Sequence, residues 1–137
     1  MTVAHAAGLL ATTLAAAVCT AQTCGGTLAG TRHVVENARY TIAYALTPDP
    51  IPVGQHFVVE FAVCARAGAK SPQAVRVDAN MPDHKHGMNY RPGVTPNGAG
   101  TYRAEGLLFH MPGRWDLTFD VDADNATERV IDTIRLE

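Results

Sequence analysis

Apolar and polar residues alternate with a period of two along most of the chain after residue 39. The alternation is strictest in residues 115–122, where Trp115, Leu117, Phe119 and Val121 are separated by acidic or hydroxyl side chains. Comparable runs cover residues 40–47, 56–65, 75–81, 102–108 and 129–136. Because successive side chains of a strand point to opposite faces, this pattern predicts short β-strands that each bury one face.

Turn-forming residues separate these runs. The chain has 8 prolines and 12 glycines, and no stretch after residue 31 has the period of an amphipathic helix. We therefore predict an all-β fold, an immunoglobulin-like antiparallel β-sandwich of about seven strands that spans residues 39–137. In the run 102–108 the predicted inward face consists of Tyr102, Ala104, Gly106 and Leu108.

The first residues differ in composition from the remainder, because every Lys and Arg lies at Arg32 or later. Residues 6–18 form an apolar, alanine-rich run that is shorter than the roughly 20 residues of a membrane-spanning helix but typical of a secretory signal. We therefore predict a signal peptide or leader over residues 1–24 and a tether over residues 25–38. The alternative for the apolar run is a buried alanine-rich helix.

The cysteines leave two possibilities open. Cys24 is followed by two glycines, as in a lipid-anchored protein whose first mature residue is acylated, although the residues before it form a poor acylation signal. If the leader is instead cleaved after Ala21, Cys24 and Cys64 form a candidate disulfide pair in an oxidising compartment. Both possibilities place the protein in the bacterial periplasm or cell envelope.

Composition disfavours several classes of function. With 137 residues the chain fits one domain, and its formal net charge of -2 offers no basic surface for nucleic acid and no polybasic membrane patch. Any membrane contact would come through the leader or a lipid anchor. The chain lacks the nucleophile-elbow, phosphate-loop, dinucleotide and HExxH motifs, so we expect a protein that is not an enzyme.

Residues 81–88 concentrate the side chains whose chemistry goes beyond packing. His84, His86 and Met88 recur at a spacing of two, which places them on one side of an extended backbone. Imidazole and thioether together favour a soft cation such as Cu(I), and binding weakens in acid because the imidazoles must be neutral. Met81, His110 and Met111 are further candidate ligands, the last two if the end of their strand lies beside the His84 loop.

Each candidate ligand also has an ordinary structural interpretation. His84 and His86 can serve as turn residues that bond backbone carbonyls, and methionines such as Met88 commonly fill gaps in cores. Met81 continues the inward positions of the run 75–81, which favours core packing. The isolated His33 and His56 receive no predicted role.

Four segments occur in a fixed order: Val53-Gly54 before a Phe/Val-rich strand, and residues 81–88 (MPDHKHGM), 100–109 (GTYRAEGLLF) and 111–117 (MPGRWDL). In this order they resemble the YtkA-like domain family, which is related to FixH-like proteins. The likeness covers roughly residues 40–136. It implies an immunoglobulin-like sandwich on the outer side of a bacterial membrane and suggests a link to copper or to respiratory-oxidase maturation.

Together these observations give two hypotheses. The first is an exported copper-binding domain, soluble or lipid-tethered, that acts as a copper chaperone or handling protein through its His/Met loop. The alternative is an envelope interaction or structural module without metal, which binds a protein partner through an edge strand.

Overall fold

The computed structural model describes residues 23–98 and 100–137, and within them the chain forms nine β-strands and no helix. The strands are β1 (His33–Glu36), β2 (Tyr40–Thr47), β3 (His56–Ala65), β4 (Ala74–Met81), β5 (His86–Gly87), β6 (Gly93–Pro96), β7 (Thr101–Leu108), β8 (Gly113–Ala123) and β9 (Ala126–Leu136). One sheet has the order β1-β2-β3-β7-β6 and the other has the order β5-β4-β8-β9. All pairings are antiparallel. The predicted all-β sandwich is confirmed.

The core lies between the two sheets and is built from the alternating positions that the sequence predicts. Trp115, Leu117, Phe119 and Val121 of β8 are all fully buried. The inward residues of the neighbouring strand are Val75, Val77, Ala79 and Met81, and β3 contributes Phe57, Val59 and Phe61. Each of these side chains removes apolar surface from water, which is the main force that holds the two sheets together.

Strand β7 departs from strict alternation, and the predicted inward face is wrong in its second half. Phe57 of β3 pairs with Leu107 whereas Val59 pairs with Ala104, so β7 carries one extra residue between the two pairs. Gly106 lies in this bulge with a φ of 86°, a backbone conformation that favours glycine. The bulge turns Leu107, rather than Leu108, into the core.

Three segments predicted to lack regular structure contain short strands, and one of them is the predicted His84 loop, where the two-residue strand β5 pairs with β4. Strand β1 lies within the predicted tether and pairs with β2, and strand β6 lies in the connection between residues 91 and 100 and pairs with β7. Both are edge strands of four residues. Their apolar residues are too few to create a recognisable period, which is why the sequence pattern does not reveal them.

A disulfide joins Cys24 to Cys64 and holds the segment 23–28 against the outer side of the first sheet. A side chain at Gly25 would meet Ala43 of β2, so the backbone of this segment approaches the sheet closely. As a result Ala43 is buried although it lies on the outer face, and β2 is covered on both faces at this position. In this structure the Cys24 sulfur is bonded to Cys64, which leaves it no valence for a lipid.

The predicted leader, residues 1–24, lies outside the described residues except for its last two positions. The part of the chain that the structure describes contains no helix of the length and hydropathy that crossing a bilayer requires.

Candidate metal centre at one end of the sandwich

The order of the strands brings the two predicted ligand segments to the same end of the molecule. Strand β4 ends at Met81, and its antiparallel neighbour β8 begins at Gly113, with Asn80 opposite Asp116. The turn after β4 and the loop before β8 therefore lie side by side. The six candidate ligands lie at or near these two connections: Met81 is the last residue of β4, His84, His86 and Met88 follow it before β6, and His110 and Met111 precede β8.

The turn after β4 has a defined backbone that fixes the position of His86. The N–H groups of His84 and Lys85 both donate to the carbonyl of Met81, at 3.2 and 2.9 Å, and Lys85 adopts a φ of 56°. The chain then returns as β5, with His86 directly opposite Met81. Because opposite residues of an antiparallel pair point to the same face, the imidazole of His86 lies on the core side of the sheet.

Three imidazoles lie next to one another here, and we call His84, His86 and His110 the histidine rim. The ring centroids of His84 and His86 are 5.8 Å apart, and those of His86 and His110 are 5.1 Å apart. Two imidazoles bound to one ion through bonds of about 2.0–2.1 Å place their centroids roughly 5–6 Å apart. Both neighbouring pairs lie within this range.

The ring nitrogens of the rim differ in their hydrogen bonds. Nδ1 of His86 lies 3.1 Å from the carbonyl oxygen of Gly87, an arrangement in which the other ring nitrogen is directed away from the backbone. Nδ1 of His110 is buried and has no hydrogen-bond partner among the described residues. A buried polar atom without a partner costs about 1–3 kcal/mol, so this nitrogen is a candidate ligand or hydrogen-bonding site.

Trp115 forms the floor under the rim. Its indole contacts the ring of His110 edge-on, with centroids 5.3 Å apart, and stacks on Phe109 at 4.4 Å. The indole N–H donates to the carbonyl of Met111 at 3.0 Å, which fixes the loop that carries His110. The sequence pattern assigned Trp115 to the core but gave no sign that it supports the rim.

The three methionines occupy different environments. Met81 is fully buried in the core, where its terminal methyl group lies against Gly113, in agreement with the packing interpretation. Met88 and Met111 are half-buried and pack against the core from the two connections beside the rim. In the sequence, Met88 lies two residues after His86, and Met111 directly follows His110.

Nitrogen and oxygen donors alone do not complete a metal centre. Within residues 23–98 and 100–137, no three His, Cys, Asp or Glu side chains are arranged so that they could hold an ion. Two imidazoles and a methionine sulfur would together give a donor set that suits Cu(I).

An ion pair that the sequence pattern did not reveal stabilises the turn that carries the rim. Arg114 donates to both carboxylate oxygens of Asp83, at 2.7 and 3.2 Å. The hydrogen bond and charge of Arg114 hold the pKa of Asp83 below its usual value. The pair is thus intact above the ordinary pKa of an aspartate and is lost as the pH falls through the lowered value.

This ion pair gives a first prediction. In an NMR titration of the side-chain carboxyl carbons, Asp83 should titrate at a lower pH than an ordinary aspartate. Arg114→Gln should move its midpoint upward, whereas Arg135→Gln should move it much less, since Arg135 contributes the smallest of the effects on Asp83. Equal shifts in the two variants would contradict the assignment.

Comparisons with protein-family models and with curated protein sequences give no match. Among solved structures, the chain is similar to a DUF4426 family protein (PA0388) from Pseudomonas aeruginosa PAO1, with a TM-score of 0.46 and 14% sequence identity. The similarity covers 77% of this chain and 96% of that chain. Similarity to the YtkA-like family stays a prediction from the sequence.

Proposed function

We propose that this protein is an exported domain that binds Cu(I) at the histidine rim and handles the ion for transfer. The observation that carries the proposal is the pairing of His86 with His110, whose Nδ1 is buried without a partner among the described residues. An ion bound at this nitrogen would remove the cost of leaving it unpaired. His86 supplies the second nitrogen and Met88 or Met111 the sulfur.

The exposure of the rim supports a role in transfer rather than permanent storage. His84 is exposed, His86 is half-buried and the free nitrogen of His110 is buried, so the three rings lead from solvent to the edge of the core. An incoming ligand from another protein can reach an ion on this path from the His84 side. The contact of His86 Nδ1 with the Gly87 carbonyl resembles the outer hydrogen bond that orients metal-binding histidines.

The disulfide supports the proposed compartment. Disulfides persist in oxidising environments such as the periplasm and are rare in the bacterial cytosol. Cys24 and Cys64 form such a bond here, which is consistent with export of the domain and leaves no free thiol among the described residues to compete for copper.

Competition for Cu(I) tests the proposal. The full chain is titrated against a bicinchoninate–Cu(I) complex under argon with ascorbate, which keeps copper reduced without a thiol. We expect one ion per chain, and an affinity at least about tenfold lower for His86→Ala/His110→Ala. His56→Ala is the matched control, because His56 is an exposed histidine outside the rim, and it should bind like the natural chain.

A second function is favoured by one specific observation. Strand β9 has 11 residues and, within residues 23–98 and 100–137, pairs only with β8, and Ile131 on it is 47% exposed. Long exposed edge strands accept a strand from another protein. If removal of the rim histidines leaves the Cu(I) affinity unchanged, the interaction module becomes the better supported function.

A further inference from the structure

A cleft of about 620 Å³ lies between the two sheets at the edge formed by β1, β2 and β9. It shares no lining residue with the histidine rim. Its apolar lining comes from Leu46, Ile51, Ile134 and Leu136. A cavity of this volume has the size of small-molecule sites, which combine an apolar lining with a few polar groups.

Polar side chains occupy inward positions in this cleft, where the strand pattern would place apolar residues. Asp132 of β9 lies opposite the fully buried Leu117, and His33 of β1 lies opposite the buried Tyr44. Because opposite residues share a face, Asp132 and His33 point between the sheets. Polar groups therefore close the sandwich at this edge, although apolar side chains at the same positions would pack the core equally well.

Hydrogen bonds organise these groups into a connected set. The hydroxyl of Tyr44 donates to Asp132 at 2.6 Å, and Nε2 of His33 lies 3.3 Å from a carboxylate oxygen of Asp49. The rings of His33 and Tyr44 stack with centroids 5.0 Å apart. Burial, followed by the contact with Asp132, raises the pKa of Tyr44, so the hydroxyl keeps its proton and remains a donor.

The charge inside the cleft is negative. Asp49 and Asp132 both line it. Arg135 also lines it, but its side chain is exposed and alternates along β9 with the inward Ile134 and Leu136, so it belongs to the outer face. Each carboxylate has one neutral or titratable partner in the cleft and can accept further hydrogen bonds.

We propose that this cleft is a second binding site, which takes a small organic amine with an apolar body. Its ammonium group would bond Asp132 and Asp49, and its apolar part would cover Leu46, Ile51 and Ile134. A metal ion is a poorer occupant, because the Asp132 carboxylate already accepts from the Tyr44 hydroxyl and the Asp49 carboxylate already lies against Nε2 of His33. An anion is disfavoured by the two carboxylates.

NMR titration of the 15N-labelled full chain tests this site, with benzylamine as the probe and benzyl alcohol and benzoate as matched neutral and anionic compounds. Benzylamine should shift the amides of Tyr44 and of residues 132–136, and its affinity should fall as NaCl is raised. Benzyl alcohol should bind more weakly without salt dependence, and benzoate should leave these amides unmoved.

Two variants locate the site. Asp132→Asn keeps an acceptor for the Tyr44 hydroxyl but removes the charge. The affinity for benzylamine should fall by about tenfold in this variant. Asp49→Asn, in the loop after β2, should also lower the affinity for benzylamine. Asp124→Asn is the matched control, because Asp124 lies in the exposed turn between β8 and β9. Equal binding of benzylamine and benzyl alcohol, or unchanged binding in both cleft variants, would overturn the proposal.

Discussion

Replacement of Trp115 by alanine is expected to lower the free energy of unfolding by about 3–5 kcal/mol. The indole is fully buried, stacks on Phe109 and contacts His110 edge-on. Its removal opens a cavity between the sheets and also deletes the hydrogen bond to the Met111 carbonyl. The surrounding strands are held in two sheets, so they can fill little of the space that the indole leaves.

Urea unfolding, followed by far-ultraviolet circular dichroism, measures this effect. Trp115→Phe is the informative comparison, because it keeps an aromatic ring against Phe109 but loses the indole N–H. The Trp115→Phe variant should lose clearly less unfolding free energy than the alanine variant. A Trp115→Ala protein that unfolds within about 1 kcal/mol of the natural chain would show that the indole does not support the core as described.

Much of the architecture can be predicted from the alternation of side chains alone. Strand β8 is the clearest case, since Trp115 and Val121 bound a run whose every second residue is fully buried. The long strands of a sandwich bury one face continuously, so their period is strong. The prediction fails where the backbone itself departs from the regular pleat, as at Gly106, because a bulge shifts every later side chain to the other face.

The short edge strands show a second limit of prediction from side-chain alternation. The four residues of β1 gain their structure from pairing with β2, not from a hydrophobic face of their own. Likewise, Ala43 of β2 is buried only because the disulfide-linked segment around Gly25 covers it. Contacts of this kind depend on residues far away in the sequence, so the local periodicity of a strand does not predict them.

The candidate site is predictable only in part. The residues at the ends of two strands, His86 and His110, were identifiable by type and by the prolines that follow or precede them. Their contact depends on β4 and β8 being neighbours in one sheet, which alternation does not specify. In contrast, the inward position of Asp132 between Val130 and Ile134 could be read directly from the sequence, and a carboxylate at a core position is itself a sign of function.

Loss of the Cys24–Cys64 disulfide is the second large effect that we expect. The two cysteines are 40 residues apart in sequence, and in the chain-entropy model closing a loop of this length stabilises the fold by about 4 kcal/mol. The bond also holds the segment 23–28 against Ala43. Cys24→Ala/Cys64→Ala should therefore lose about 2–5 kcal/mol of unfolding free energy and expose this part of the first sheet.

The natural chain provides the control for this variant. Dithiothreitol should lower the urea midpoint of the natural protein to that of the double alanine variant, and it should leave the variant itself unchanged. Hydrogen exchange should become faster at the amides of the segment 23–28 in both cases, because the bond that ties this segment to β3 is gone. The amides of the central strand β8 should keep the slowest exchange, since β8 lies between β4 and β9 in the second sheet, whereas the disulfide joins the segment to β3 in the first. An equal urea midpoint with and without reductant would mean that non-covalent contacts alone, such as the bonds from Arg32 to the Cys24 carbonyl, hold the segment in place.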